Sequence, residues 1–397
     1  MKIVFFTFYF TPDLSAGSFR AESLVRSLEK KLPKNIDLHV ITTQPNRYKS
    51  SQINAKSIET NGKITIHRIH NPLNLTGKFS HIKLFLFFSF KAFMLCKKIK
   101  PIFIIGTSSR LMTGLLTFFS ARVIKCDYFI DIRDIFSETI SDIISQKSKV
   151  IGSFCRVIFF FLEKQMLTRA SGVNIVSEGF FEYYKAGGID TSKWTFFPNG
   201  VDNEFVNFPL IKQTNNKILK IVYAGNIGTG QGLERVIPSI AEGLGHKYLF
   251  RIIGDGSTMH LLRNTLKIRN ISNVELIQPV SRKELINFYK DADFLFLHLN
   301  DISAFKRVLP SKLFEYASIG KPIIAGLSGY SAKFIELHIP YALLFKPLDS
   351  KSAIKSIKSL SNYQISEEYV RNFNKLFSRE EIMNQMSDHL IKIMKIK

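Results

Sequence analysis

Short apolar runs alternate along the chain with longer stretches in which apolar residues recur at helical spacing. Buried parallel strands have nearly continuous apolar sequences, whereas amphipathic helices place apolar residues three or four positions apart. The first half therefore predicts strands at Ile3–Phe8, Leu38–Thr42, Thr65–Arg68, Ile102–Gly106, Tyr128–Ile132, Val173–Val176 and Trp194–Phe197. Helices are predicted between many of them, at Arg20–Lys31, Ile82–Lys97, Leu111–Ser120, Arg156–Thr168 and Glu178–Ala186.

The alternation restarts after a turn-rich break at Pro198–Asp202. Further strands are predicted at Ile218–Tyr223, Phe250–Ile253, Val274–Ile277, Phe294–Leu299, Pro322–Ala325 and Ala342–Phe345. Helices are predicted at Leu233–Glu242, Met259–Asn270 and Lys283–Lys290, with a terminal helical tail at Val370–Lys397. Two such series predict an α/β chain of two doubly wound, Rossmann-like domains, residues 1–203 and 204–371. We expect a ligand in a central cleft that the carboxyl ends of both sets of strands face.

Composition narrows the class of partner. The 397 residues are 45% hydrophobic and carry a formal net charge of +23, so the chain is globular and attracts polyanions. The basic residues are spread out, without an arginine-rich arm, which favours an anionic membrane surface and a phosphorylated substrate over nucleic acid. Three cysteines without metal or redox spacing predict buried thiols in a reducing cytosol.

Two apolar segments resemble targeting or membrane sequences. Met1–Phe10 is followed at once by Thr-Pro-Asp, so a buried first strand is expected there and not a signal peptide. The segment His81–Lys100 is interrupted by Lys83 and Lys91, which makes it too charged for a spanning helix. Two interpretations stay open for it: a packed helix of the first domain, or a helix whose aromatic face rests on anionic lipid.

The segment Leu309–Ala325 combines a helix with an unusual pair of charges. Ser311 is a suitable helix cap and Gly320 a suitable end, so the helix offers its first amides and Lys312 to an anion. Glu315 follows about one turn further on, where it would meet hydroxyl groups of the same ligand. A nucleotide sugar has both an anionic diphosphate and sugar hydroxyl groups. The alternative is an ordinary buried helix whose glutamate pairs locally.

The segment Val222–Gly232 follows the first strand of the second series and precedes a helix. It places four glycines within eight residues, at Gly225, Gly228, Gly230 and Gly232. Unobstructed backbone amides of this kind suit a diphosphate. No Gly-Lys-Ser/Thr follows, so the segment is not a P-loop.

Two segments of the first half also follow predicted strands. Thr11–Ser18 contains Gly17 before Arg20 opens a helix, which indicates either a close approach of backbone to ligand or a plain strand-to-helix turn. Asp131–Phe136 brings three charged residues to the edge of the sheet, where substrate binds. Alternatively, Arg133 only neutralises its two acidic neighbours.

Two further candidates receive structural interpretations. Asp291 and Asp293 resemble a metal-binding Asp-x-Asp pair, but no third carboxylate is near in sequence, so a helix–strand junction is expected and no metal. His298 ends a predicted strand and is expected to be a core histidine more readily than a ligand contact.

Together, several segments resemble glycosyltransferase family 4, which has the two-Rossmann-domain GT-B fold. The segments are VSEGFFEYYKAGG, FFPNGVD, VYAGNIGTGQGLERVIPSIAE and PSKLFEYASIGKPIIAG, and the resemblance covers almost the whole chain. RDIF with AGNIGTGQGL is similar to the bacterial O-antigen and capsule branch, which includes N-acetyl-L-fucosamine transferases. The resemblance implies a nucleotide-sugar domain at residues 204–371, an acceptor domain at 1–203 and a terminal helix, 372–397, that returns to the acceptor domain.

The resemblance also implies roles for single residues. Glu315 matches the second glutamate of the family's paired motif, expected on the nucleotide ribose, whereas the first falls at Arg307. The family's arginine and lysine for the donor diphosphate would lie near Asn226 and Gln231, which carry no charge. We therefore expect Lys312 to compensate, together with loop amides from residues 225–228 and Lys306 or Arg307.

Arg133 lies at the position of the family's acceptor-domain histidine, with Asp134 beside it. The expected catalytic residues are Asp134, Arg133 and Lys312. The expected donor-binding residues are Gly225, Asn226, Gly228, Gln231, Arg307, Ser311, Lys312 and Glu315. Gly17 and Arg20 are expected on the acceptor side, and no metal or other cofactor is expected.

The resulting hypothesis is a retaining, metal-independent hexosyltransferase of lipopolysaccharide or capsule synthesis. Its donor would be UDP-N-acetyl-L-fucosamine or another UDP-N-acetylhexosamine, and its acceptor a polyprenyl-diphosphate-linked glycan. It would act as a cytoplasmic, peripheral protein on the inner face of the cytoplasmic membrane. Two alternatives stay open: a nucleotide-sugar epimerase of the same fold, and a non-enzymatic basic protein that binds membrane or nucleic acid.

Overall fold

The computed structural model describes residues 1–13, 15–45, 55–70, 80–108, 111–135, 137–138, 141, 144, 148–206, 218–359 and 365–396. The chain divides into two compact units. Unit 1 comprises Met1–Asn199 with Arg379–Lys397, and unit 2 comprises Gly200–Ser378.

Unit 1 is a mainly parallel sheet flanked by helices. Its described strands are β1 (Lys2–Phe6), β2 (Asp37–Thr43), β3 (Ile58–Asn61), β4 (Ile64–Ile69), β5 (Phe103–Thr107), β6 (Asp127–Ile132), β7 (Gly172–Ile175) and β8 (Thr195–Phe196). Its first helices are α1 (Ala16–Lys31), α2 (Ser80–Ile99), α3 (Leu111–Ile124), α4 (Lys149–Thr168) and α5 (Gly179–Ala186). The described strands lie in the order β3-β4-β2-β1-β5-β6-β7-β8, and β3 pairs antiparallel to β4 at one edge.

Unit 2 contains the second sheet. Its described strands are β9 (Leu219–Asn226), β10 (Tyr248–Asp255), β11 (Val274–Ile277), β12 (Phe294–His298), β13 (Ile323–Gly326) and β14 (Ala342–Phe345). Its helices are α6 (Asn203–Val206), α7 (Leu233–Leu244), α8 (Met259–Ile268), α9 (Arg282–Asp291), α10 (Ser311–Ile319), α11 (Tyr330–His338), α12 (Ser350–Lys358) and α13 (Glu367–Leu376), with a 3₁₀ turn at Ser303–Lys306. The described strands are all parallel, in the order β11-β10-β9-β12-β13-β14.

The strand orders indicate where a ligand is expected in each sheet. In unit 2 the connections run outward from β9 in one direction and from β12 in the other, so the chain reverses between these two neighbours. The same reversal separates β1 from β5 in unit 1. Crevices at the carboxyl ends of strands next to such a reversal are the usual binding sites of doubly wound folds. Both sheets therefore confirm the predicted α/β architecture.

Some helix limits differ from the prediction. Helix α1 begins at Ala16 and not at Arg20, because Ser15 and Ser18 form a capping box there. Helix α4 begins at Lys149, well before the predicted Arg156, with Ser148 as its N-cap. The predicted terminal helix is two helices, since the chain turns at Phe377 and Ser378, where Val201 donates a 2.7 Å bond to the Phe377 carbonyl.

The last helix, α14 (Arg379–Ile393), belongs to unit 1 and packs on α1. Its Met383, Met386 and Leu390 are fully buried in one cluster with apolar residues of α1, β1, β2 and β5. The C-terminal segment therefore completes the hydrophobic core on this face of the first sheet.

We expect Leu390→Ala to lower the free energy of unfolding by about 2–5 kcal/mol, because it leaves a cavity in that core. The matched control is Leu376→Ala on α13, where the leucine is 64% exposed and the expected change is within about 0.5 kcal/mol. Urea denaturation of both variants measures the difference. Equal effects would contradict the structural role of α14.

Candidate functional site

The carboxyl end of β9 is built from backbone that only glycine accommodates. Gly225 pairs with Gly254 of β10, and their φ angles are +156° and +143°. A Cβ on Gly254 would lie 1.9 Å from the Gly225 oxygen, and a Cβ on Gly225 would lie 2.8 Å from Cε of Lys312. The absence of a side chain at Gly225 thus leaves room for the Lys312 side chain at the edge of the sheet.

Helix α10 begins at Ser311, and Pro310 is its N-cap, so the expectation that Ser311 caps the helix is wrong. Proline offers no side-chain acceptor, and no side chain caps this terminus among the described residues. Ser311 and Lys312 are the first two helical residues, whose amides have no acceptor within the helix. This terminus therefore retains the donors and the positive end of the helix dipole that favour an anion.

Lys312 and Glu315 form an ion pair on α10, with Nζ 3.3 Å from Oε2. Their side chains are 23% and 11% exposed, and the same carboxylate oxygen lies 3.5 Å from the hydroxyl of Tyr289. The pair is the local contact that the alternative interpretation of this helix predicted. Because the lysine stays partly exposed, an incoming anion would compete with Glu315 for its ammonium group.

Asn226 and Gln231 bond each other across the glycine-rich loop. Oε1 of Gln231 accepts bonds from Nδ2 of Asn226 (2.9 Å) and from the amide of Gly228 (3.3 Å). The Ile227 amide donates to the Asp255 carbonyl at 2.9 Å. The expectation of bare amides throughout residues 225–228 is therefore wrong, because a side chain of the loop and the backbone of β10 accept bonds from two of them.

The amides of Thr229 and Gly230 differ from these, since they donate to no atom of the described residues. Asn300 supports this tip from the strand side: it donates from Nδ2 to the Thr229 carbonyl (3.1 Å) and from its own amide to the Gly230 carbonyl (2.8 Å). The donors that remain for an anion thus lie one or two residues further along the loop than predicted.

His298, the last residue of β12, is a buried structural residue. Its Nδ1 lies 2.6 Å from the Gln231 carbonyl, and its Nε2 accepts a 3.0 Å bond from the amide of Leu348. These partners require a neutral ring protonated on Nδ1. Burial lowers the pKa of His298 to about 4, so the ring stays neutral at physiological pH and fixes the position of the loop.

Arg282 is a charged residue near this site that the sequence did not reveal. It pairs with Asp202 and, at 2.5 Å, with Glu204, and it lies 4.8 Å from the ring centroid of Phe205. Burial alone would lower its pKa, but the charges of Asp202 and Glu315 raise it above the ordinary value. Arg282 is the first residue of an amphipathic helix with a regular capping box, so its sequence context does not differ from that of an ordinary surface arginine.

Structural partners are also found for three other predicted residues of unit 2. Arg307, which follows the 3₁₀ turn, is half-buried and donates to the Ser303 carbonyl at 3.2 Å. Asp291 accepts bonds from Lys220 and Arg251 at the end of α9. Asp293 accepts from the Lys220 amide at 2.8 Å, as expected of a helix–strand junction.

In unit 1, Arg20 is 2% exposed and pairs with Asp131 through two 2.9 Å bonds. It also donates to the carbonyls of Phe197 and Pro198, and Asn174 donates to Asp131 at 2.7 Å. Burial would raise the pKa of Asp131, but the Arg20 charge and hydrogen bonds hold it below the ordinary value. The expectation that Arg20 meets an acceptor is therefore wrong, because its donors are used inside the unit.

Gly17 also serves the fold of unit 1. A Cβ there would lie 2.5 Å from Nη1 of Arg133, so Gly17 makes room for that guanidinium. Burial and the nearby Arg20 lower the pKa of Arg133 to about 10, so it remains cationic at neutral pH. Asp134 is exposed beside it, and Phe136 lies outside the described residues. Arg133 and Asp134 thus bring a cation and a carboxylate to the part of this sheet edge that the structure describes.

We expect Asp131→Asn to lower the free energy of unfolding by about 3–5 kcal/mol, because the substitution leaves the buried Arg20 without its counter-ion. Asp127→Asn, at the exposed start of the same strand, is the matched control. Denaturant unfolding measures the free energy of unfolding of both variants. A loss no greater than that of the control would contradict the structural role of the pair.

The neutral state of His298 predicts a pH dependence of stability. Its folded pKa of about 4 lies below the ordinary 6.5, so its contribution is complete above pH 6.5 and is lost as the pH falls toward 4. We expect His298→Gln to be less stable than the natural chain at pH 7, by a margin that shrinks toward pH 4. Urea unfolding at several pH values measures it, and a margin independent of pH would contradict the assignment.

Part of the chain is similar in sequence to known proteins. Residues 207–376 match the sequence profile of the family "Glycosyl transferases group 1". The protein "Putative colanic acid biosynthesis glycosyl transferase WcaI" of Escherichia coli K12 is 26% identical over 180 residues, which are 43% of this chain and 44% of that protein. The match thus spans less than half the length of this relative.

Solved structures resemble the whole chain. Sucrose-phosphate synthase of Thermosynechococcus elongatus has a TM-score of 0.75 at 13% identity, with 100% of both chains covered. HepE of Anabaena, in complex with UDP and glucose, has a TM-score of 0.68 at 13% identity, with 99% of this chain and 100% of the other covered. The chain therefore has the GT-B fold, and most of its second unit is similar in sequence to the group 1 glycosyl transferases.

Proposed function

We propose that the protein is a retaining glycosyltransferase that takes a sugar from a nucleoside diphosphate and places it on a lipid-linked glycan in surface polysaccharide synthesis. The observation that carries the proposal is the position of Lys312. Its side chain crosses Gly225 at the carboxyl end of β9, next to an uncapped helix terminus and one turn before the carboxylate of Glu315.

These groups suit the two ends of one ligand. Lys312 and the amides of Ser311, Thr229 and Gly230 are donors for a diphosphate, and charge-assisted bonds of this kind are the stronger class. Glu315 is an acceptor for ribose hydroxyls, and it becomes available when the phosphate draws Lys312 away. Glu315 then contacts the nucleotide and Lys312 the leaving phosphate.

UDP is the nucleotide of the proposal, with an N-acetylhexosamine such as N-acetyl-L-fucosamine as the sugar. The HepE structure holds UDP and glucose, and a trehalose-6-phosphate enzyme of Escherichia coli with the same fold holds UDP-2-fluoro glucose. The N-acetyl-L-fucosamine assignment rests on the likeness of RDIF and AGNIGTGQGL to the O-antigen and capsule branch.

The proposed chemistry needs positioning and charge stabilisation. The bond between the sugar's anomeric carbon and the β-phosphate oxygen breaks, and a bond to the acceptor hydroxyl oxygen forms on the same face of the ring. The acceptor proton passes to a phosphate oxygen of the departing diphosphate, whose added charge Lys312 and the loop amides stabilise. Because protein groups and not a metal ion stabilise this charge, chelation with EDTA should leave the rate of transfer unchanged.

Arg133 and Asp134 of unit 1 are the proposed contacts of the reacting sugar or acceptor. They stand at the carboxyl edge of the first sheet, Arg133 as a fixed cation within 3.5 Å of Asn199 and Asp134 as an exposed acceptor. The proposed acceptor is a polyprenyl-diphosphate-linked glycan at the inner face of the cytoplasmic membrane. The names of two similar proteins, from colanic acid synthesis and from the lipopolysaccharide outer core, support this class of product.

We expect UDP to raise the thermal unfolding temperature of the natural chain, because it binds the folded state alone. Lys312→Ala and Glu315→Ala should each weaken UDP binding by about 10- to 100-fold, the loss expected for a bond to a charged group. Lys333→Ala and Glu336→Ala are matched controls: they have the same residue types and spacing on α11, at exposed positions. Calorimetric titration with UDP measures all four.

Three outcomes would contradict the proposal. The first is that no nucleoside diphosphate binds. The second is that the α11 variants weaken UDP binding as much as the α10 variants, which would make the effect one of general charge. Conversion of a UDP-sugar without any acceptor would instead indicate an epimerase.

A further inference from the structure

Helix α4 exposes an unusually apolar surface. Val150, Phe154, Val157 and Phe161 recur at helical spacing, and their exposed fractions are 80%, 66%, 69% and 59%. Residues at these intervals lie on one side of a helix. Scattered exposed apolar residues are ordinary, but a continuous row of this kind marks an interaction surface.

The neighbouring helices extend this surface. Leu86, Phe90 and Met94 on α2 are 55%, 62% and 49% exposed at intervals of four residues. Phe119 and Val123 on α3 are both 55% exposed. Helix α3 packs against both α2 and α4. We call the combined surface of these three helices the α2–α4 face.

The charge of this face is of one sign. Among α2, α3 and α4 the sequence contains a single carboxylate, Glu163, which is buried and 3.3 Å from the Ser137 amide. Basic residues flank the apolar rows, among them the exposed Lys83, Lys91 and Arg122. The α2–α4 face therefore presents apolar and cationic groups, and none of its exposed side chains is acidic.

We propose that the α2–α4 face docks unit 1 on an anionic phospholipid bilayer, with the aromatic side chains among the acyl chains and the basic groups at the headgroups. No described helix is both long and apolar enough to cross a membrane, so the helices would lie in the plane of the interface. The inference deepens the proposed function, since a lipid-linked acceptor is met at such a surface.

Charge decides between lipid and protein as the occupant. A second copy would bring an equally cationic face against this one, in a chain with a formal net charge of +23, and like charges across an interface cost affinity. Anionic headgroups supply the complementary charge and leave the aromatic residues an apolar phase to enter. An anionic bilayer therefore accommodates both the apolar and the cationic groups of the α2–α4 face.

The test is flotation of the full chain with vesicles of phosphatidylcholine alone and with added phosphatidylglycerol. We expect binding to the mixed vesicles, weakened by salt. The double substitution Phe154→Asp with Val157→Asp should reduce the partition at least about tenfold, because it removes two apolar insertions and adds negative charge. Ile268→Asp with Leu337→Asp is the control, since it makes the same charge change at residues that are 80% and 76% exposed in unit 2.

The controls make each outcome decisive. Failure of the natural chain to float, or equal losses in the two double variants, would overturn the proposal. So would a dimer of the natural chain in sedimentation that the α4 substitutions dissociate, because the occupant would then be a second copy. UDP titration of the α4 variant separates this proposal from the proposed function: unchanged UDP binding with lost flotation supports the lipid face, whatever the donor results.

Discussion

The Lys312 side chain lies over Gly225, and this contact is the constraint on which the candidate donor site depends. Gly225 has no side chain, and its φ of +156° and its pairing with Gly254 favour glycine at both positions. The lysine can therefore cross the end of β9, at the point where the strand order of unit 2 reverses. Glu315 holds the lysine at this place through their ion pair. His298 and Asn300 hold the glycine-rich loop through hydrogen bonds to its carbonyl groups.

Unit 1 has a similar arrangement, in which a glycine leaves space for a cationic side chain. Gly17 leaves space at the start of α1, and the guanidinium of Arg133 fills it. Behind Arg133, the buried pair of Arg20 and Asp131 joins α1 to β6, and its bonds to Phe197 and Pro198 reach the start of the turn-rich break. In each unit a glycine thus admits a cationic side chain to the carboxyl edge of the sheet, and hydrogen bonds from polar side chains hold the surrounding backbone.

The sequence predicts the fold well because alternating apolar runs and helical periods are local signals. It also identifies the glycine-rich loop and the Lys312–Glu315 helix, since both depend on residue types at fixed spacing. It fails where a role depends on partners distant in the chain. Arg20 is consumed by Asp131, which lies more than a hundred residues later, and Arg282 reaches Asp202 and Glu204 from a helix with an ordinary pattern. The exposed apolar side of α4 is missed for a related reason. The sequence of an apolar helix indicates a core element, and only the structure shows which of its sides faces solvent.

The most direct test of the donor site is a crystal structure of the protein with UDP bound. The central claim predicts diphosphate oxygens within hydrogen-bonding distance of Lys312 Nζ and of the amides of Thr229 and Gly230. It also predicts the ribose hydroxyls on Glu315, released from its pair with Lys312. A nucleotide bound elsewhere, or one bound with the Lys312–Glu315 pair intact, would contradict it.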